Sequence, residues 1–142
     1  MMLKNIPNII SPDLMHALMS MGHGDTLVIG DCNFAAESFG KRTIRLDGHN
    51  NCDILDAIMK FFPLDQFIEN PVVLMKPNDN SKIDIWEKYR NIINKYETSF
   101  NKFEYIDRFE FYERAKNAYA CIATGETSIY ACLIITKGVI IV

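Results

Sequence analysis

The chain has 142 residues, 49% apolar and 23% charged, with a formal net charge of -3. That balance gives one collapsed globular domain rather than a disordered chain, and no stretch approaches the roughly 18 consecutive apolar residues of a membrane span. Lys+Arg at 15 against Asp+Glu at 18 leave no basic footprint for a phosphate backbone, which speaks against nucleic acid as a partner.

Ser11-Pro12-Asp13 is a helix start, with Ser11 as N-cap and proline at the first helical position. Leu14, Ala17, Leu18 and Met21 then recur at helical spacing before Gly22. Thr26 to Gly30 is short, apolar and β-branched, as a buried strand would be, and Asp31 lies just past its end. Thr43 to Leu46 alternates and stops at the turn dipeptide Asp47-Gly48. Asn51 or Asp53 caps the next helix, whose apolar set is Ile54, Leu55, Ile58, Phe61 and Phe62, and Pro63 ends it. Val72 to Met75 reads as another buried strand. A polar loop follows, then a longer helix with Ile85, Tyr89, Ile92, Ile93 and Tyr96 on one face. The last third predicts a strand (Phe103 to Ile106), a helix (Phe109 to Asn117) and two strands, Tyr119 to Thr124 and Tyr130 to Thr136, joined through Gly125. Strands alternating with helices predict an α/β sandwich with a largely parallel sheet, in a single domain over residues 1–142. The short final connection predicts an antiparallel edge.

Cys32, Cys52, Cys121 and Cys132 are widely spaced and form no zinc pattern. Residues Met1 to Ser20 contain no apolar h-region or cleavage site, so the expectation is reduced thiols and a cytoplasmic location.

Three segments carry candidate chemistry, because in an α/β sheet the ligand crevice lies beyond the carboxyl ends of the strands. Met21-Gly22-His23-Gly24-Asp25 sets an imidazole, a group suited to proton transfer, between two glycines, where it is free of bulky neighbours. The same residues also suit a plain helix terminus with His23 near the negative end of the dipole. In Asp107 to Ala115, Arg108 offers a planar fork for ligand oxygens and Tyr112 a hydroxyl. On residues alone, an exposed helix with a Glu110–Arg114 pair is the simpler explanation of that segment. Thr124 to Cys132 is a hydroxyl-rich turn beside Tyr130, fit for a polyol or for an ordinary hairpin. P-loop, GxGxxG, HExxH and GxSxG patterns do not occur.

Taken in order, Ile9 to Leu14, Met21 to Asp25, Ile44 to Gly48, Phe111 to Ala115, Thr124-Gly125-Glu126 with Tyr130, and Lys137-Gly138 resemble the RbsD/FucU family of sugar mutarotases and pyranases. His-Gly-Asp and the Arg108 to Arg114 segment are similar to the branch acting on L-fucose, more than to the ribose pyranase branch. The resemblance implies a three-layer sandwich with helices on both faces of the sheet, and a monosaccharide substrate. It implies His23 as proton donor and Tyr112 as a second acid/base group. Asp31, Arg108, Tyr130, Cys132 and Asp65 would bind the sugar. It implies no cofactor and no metal, because both steps of ring opening are proton transfers. It also implies a homo-oligomeric ring, decameric in bacterial members, for which Phe61, Phe62, Phe67 and Trp86 are candidate interface residues. The family's last motif reads Tyr-any-Asn, whereas Tyr130-Ala131-Cys132 ends in a thiol, a weak donor and acceptor. The alternatives are the same ring opening on another sugar, ribose first, or a sugar-binding oligomer without catalysis.

Overall fold

The computed structural model describes residues 2–142. Helix α1 (Pro12–Ser20) begins where the Ser11 hydroxyl accepts from the Leu14 amide at 3.1 Å, with Pro12 pre-set for the first turn. Strand β1 (Thr26–Ile29) follows. Next come helix α2 (Ala36–Phe39), four residues that are too short for periodicity to reveal, and strand β2 (Thr43–Leu46). Helix α3 (Asn51–Met59) is capped by Asn50, whose side chain accepts from the Asp53 amide at 2.9 Å. The cap expected at Asn51 or Asp53 is therefore corrected to Asn50, and the Asn51 side chain is released to turn inward. Strand β3 (Val72–Met75), helix α4 (Asp84–Tyr96) and strand β4 (Glu104–Ile106) come next. Helix α5 (Arg108–Asn117) is capped by Asp107, which accepts from the Glu110 amide at 2.9 Å. Strands β5 (Ala120–Thr124) and β6 (Leu133–Thr136) close the chain.

The six strands form one sheet in the order β2-β5-β1-β6-β3-β4. All pairs among β1 to β5 are parallel, and β6 alone runs against its neighbours β1 and β3. The largely parallel sheet is as expected, but the antiparallel strand is interior rather than at an edge. The last two strands are not a hairpin, because β1 lies between them. The connection instead crosses the carboxyl end of β1, where the Cys32 amide donates to the Glu126 carbonyl at 2.8 Å. Tyr130, expected in the last strand, has φ +53°, which no strand accommodates.

Alternation along the strands sorts the core into two layers. Leu27, Ile29, Ile122, Leu133 and Leu74 face α1, α3 and α4, whereas Val28, Cys121, Ile134, Val73 and Cys132 face α2 and α5. Tyr89 of α4 and Phe111 of α5 are the two largest fully buried side chains, one in each layer. The result is the expected three-layer sandwich.

Candidate active site

The candidate residues fall into two groups at opposite ends of the sheet. At the carboxyl end of β1, Asp31 accepts from the Asn33 amide at 2.9 Å, and this turn fixes its carboxylate at the mouth of a cleft. The cleft, of about 260 Å3, is also lined by Phe34, Arg45, Asp47 and Thr124. Continuing the Ile29↔Leu133 register by one residue sets Cys132 beside Gly30, next to Asp31. Burial first, and the Asp31 carboxylate second, push the Cys132 thiol well above its usual pKa, so it remains neutral. Tyr130 and Tyr112 both pack against the apolar layer that contains Cys132. The Tyr112 ring stacks on Phe39 at 4.7 Å and leans on Phe34, which lines the cleft. Arg108 opens α5 at this same end with its guanidinium over the Phe109 ring at 4.9 Å, and among the described residues no carboxylate pairs with it. Arg114 is different: its fork is closed by Glu104 at 2.7 and 3.1 Å and by Glu110 at 2.8 Å, a structural clamp between α5 and β4.

His23 and Asp65 lie at the other end, before β1 and beyond β6. Gly24 has φ +88°, which a side chain would strain, and its amide donates to the Lys137 carbonyl at 2.8 Å. Gly138 allows a close approach, since a Cβ there would stand 2.5 Å from the Leu64 carbonyl oxygen. Together these contacts bring the Leu64–Asp65 turn under the imidazole. His23 Nε2 is 3.1 Å from Asp65 Oδ1, which also accepts from the Phe67 amide at 3.0 Å. The His23 side chain is 46% exposed and that of Asp65 only 4%. This carboxylate therefore holds the imidazole by Nε2 and leaves Nδ1 as the outward nitrogen. The position expected to bind sugar is, within one chain, in contact with the candidate imidazole.

A strand rises about 3.3 Å per residue, so β1 and its flanks separate His23 from Asp31 by roughly 15 Å or more. One monosaccharide cannot touch both within one chain. The seven candidate residues thus fall into two candidate half-sites, Asp31, Arg108, Tyr112, Tyr130 and Cys132 at one end and His23 with Asp65 at the other.

A buried polar network behind the first half-site escaped the sequence reading. Asn51 and Tyr89 are fully buried, Thr124 and Glu126 nearly so. Asn51 Nδ2 donates to the Gly30 carbonyl at 2.8 Å and to the Tyr89 hydroxyl at 3.1 Å, and that hydroxyl donates to the Ala131 carbonyl at 2.6 Å. Asn51 Oδ1 is buried without a partner, so the amide is held there for its N–H groups. Only the position of Asn51 just inside the true cap marked it. Trp86, a candidate interface residue, is part-buried and donates from Nε1 to the Tyr130 carbonyl at 2.8 Å. Of the other interface candidates, Phe62 is buried within the chain, whereas Phe61 and Phe67 are exposed.

Burial acts to raise the Glu126 pKa, but amide donors from Asn51, Ser128 and Thr127 outweigh it, and the net shift is below the ordinary 4.5. A depressed folded pKa contributes stability that is complete above the unfolded value and is lost as pH falls through the folded one. Urea unfolding as a function of pH is therefore expected to show wild-type stability falling more steeply than that of Glu126→Gln once the pH drops below 4.5. Parallel curves would remove Glu126 from the account.

The model of the RbsD / FucU transport protein family matches residues 4–140, and the chain belongs to this family. It is 42% identical to the human fucose mutarotase over 97% of this chain and 94% of that protein. It is 43% identical to the L-fucose mutarotase of Actinobacillus pleuropneumoniae serotype 5b over 97% of each. Among solved structures, the fucose mutarotase of Streptococcus pneumoniae in complex with L-fucose superposes with a TM-score of 0.94 at 43% identity, covering 98% of this chain and 100% of that one. RbsD of Bacillus subtilis, solved with D-ribose, shares the fold with a TM-score of 0.77 at 23% identity, over 99% of this chain and 100% of that one.

Proposed function

We propose that this protein is an L-fucose mutarotase, an isomerase that interconverts the α and β anomers by opening and reclosing the pyranose ring. The observation that carries this reading is the match over 98% of the chain to a fucose mutarotase solved with L-fucose, on a fold that keeps both half-sites. A cyclic hemiacetal opens when its ring oxygen gains a proton and its anomeric hydroxyl loses one. In this reading His23, held at Nε2 by Asp65, acts as the imidazolium, gives its Nδ1 proton to the ring oxygen and regains a proton when the ring recloses. The anomeric proton leaves to Tyr112 or to water beside it. Rotation about the bond to the carbonyl carbon and reclosure give the other anomer. Asp31, Arg108 and Tyr130 hold the remaining hydroxyls and keep the open aldehyde in place. Positioned acid and base groups contribute about 10²–10⁴-fold.

The separation of the half-sites makes the working site a joint one, with His23 and Asp65 from one copy and the Asp31 group from the next. Both ends carry the apolar surface such a contact needs. Phe109 and Ile129 are exposed at the carboxyl end, and Phe67 and Ile68 beside His23. A head-to-tail contact between two different surfaces closes into a ring when the rotation allows. We take a ring, paired into a decamer, as the assembly. A cytoplasmic location is supported by the four cysteines, all free.

Cys132 is where the chain departs from its family, and restoring the amide tests what the thiol costs. Cys132→Asn is expected to lower the KM for L-fucose roughly 2- to 10-fold, the worth of one hydrogen bond to a neutral group. An unchanged KM would mean that position 132 does not meet the sugar. The function itself is tested by comparing sugars in anomeric exchange spectroscopy. L-fucose should be accelerated more than D-ribose; acceleration of ribose alone would make the protein a pyranase.

A further inference from the structure

We infer that Trp86 and Tyr89 are positioning residues of the site, which hold Tyr130 in its left-handed conformation from the far side of the sheet. The inference rests on the reading above that Tyr130 touches the sugar. Tyr130 has φ +53°, a region that a bulky residue rarely occupies and that persists only where the surroundings enforce it. The enforcement is visible. Trp86 Nε1 donates to the Tyr130 carbonyl at 2.8 Å, and the Tyr89 hydroxyl to the next carbonyl, Ala131, at 2.6 Å. Trp86 and Tyr89 stand three residues apart on α4, so one helix face presents two donors to two consecutive carbonyls.

The helix that carries the clamp is itself fixed. Ile85, Tyr89 and Ile93 are buried in the layer shared with α3, and Asn51 of α3 donates to the Tyr89 hydroxyl at 3.1 Å. The same Asn51 amide donates to the Gly30 carbonyl, one residue before Asp31. One rigid set of donors therefore fixes both strand ends that carry sugar ligands, Gly30-Asp31 and Tyr130-Ala131-Cys132. Burial pushes the Tyr89 phenol far up in pKa, so it stays a donor across the working range. The Trp86 ring also packs on Tyr105 at 5.3 Å, which leaves its N–H aimed at the loop.

The test uses variants that delete one donor and keep an aromatic side chain. Trp86→Phe and Tyr89→Phe are each expected to lower kcat for fucose exchange about 10- to 100-fold through misplacement of Tyr130, with a smaller change in KM. Both are then combined with Tyr130→Phe. A residue that acts through the Tyr130 hydroxyl loses its effect once that hydroxyl is gone, so the double variants should be no slower than Tyr130→Phe alone. Equal fold-losses in the two backgrounds, or no loss in either single variant, would overturn the proposal. Amide hydrogen exchange supplies a readout that needs no sugar. Protection at residues 129–133 should fall in Trp86→Phe while the amides of β1 and β3 keep theirs. Unchanged protection of the loop would refute the clamp. Failure of the wild-type protein to exchange fucose would instead refute the mutarotase reading, with the hydrogen-exchange comparison still deciding the clamp.

Discussion

His23→Ala is expected to remove protein-catalysed anomer exchange, a loss of about 10²–10⁴-fold, while the unfolding temperature stays close to that of the wild type. The separation of the two effects follows from the geometry. The imidazole is half exposed, and its contacts are one carboxylate and the Phe67 ring at 5.6 Å. When the ring is removed, Asp65 keeps the Phe67 amide as a donor. Asp65→Asn should give a smaller loss, because the amide oxygen can still accept from Nε2 but a neutral group no longer balances the imidazolium that donates the proton. Anomer exchange followed by NMR and a thermal melt on the same samples check both. Wild-type exchange in His23→Ala would dismiss the imidazole as the proton donor.

Two inactive variants, mixed, are expected to recover activity. His23→Ala disables one half-site and Asp31→Asn the other, and neither alters the opposite end of the sheet. The Asp31→Asn change keeps the oxygen that accepts from the Asn33 amide, so the turn should survive. In a ring assembled at random from equal amounts, one neighbouring pair in four joins an intact His23 to an intact Asp31, so about a quarter of wild-type exchange should return. Refolding the two proteins together and measuring exchange against each alone checks it. Mixed rings that form and stay inactive would show that the two half-sites do not serve one sugar molecule.

The fold was legible where local and periodic signals coincide. Ser11-Pro12 marks α1, the spacing of Ile85, Tyr89 and Ile93 marks α4, and β2 and β3 are found at their observed bounds. The interior place of β6 was not legible, because strand order depends on which strand enters the gap between β1 and β3 and leaves no local pattern. All seven candidate site residues enter the proposed mechanism, and the structure sets Asp65 against His23 within one chain. Their division between two ends could not be read from the chain, since His23 and Asp31 are only eight positions apart and a strand turns that closeness into distance. Asn51 and Tyr89 were missed as polar participants for a related reason. At helical spacing a tyrosine reads as core, which it is, and nothing in sequence shows that its hydroxyl meets the Ala131 carbonyl.

Cys132 gives the account its sharpest internal contrast. The thiol is buried and neutral beside Asp31, in the position where the resemblance to the family leads one to expect an amide. In the proposed ring opening the protons pass through His23 and the anomeric-side acceptor and not through this position, so the change is expected to fall on sugar affinity rather than on the chemistry.

The most direct measurement is saturation transfer by NMR between the α and β anomeric protons of L-fucose in the presence of the wild-type protein. The account predicts transfer that grows in proportion to protein concentration and exceeds the uncatalysed exchange by orders of magnitude. L-fucose that binds the protein while its anomers exchange no faster than in buffer would contradict it.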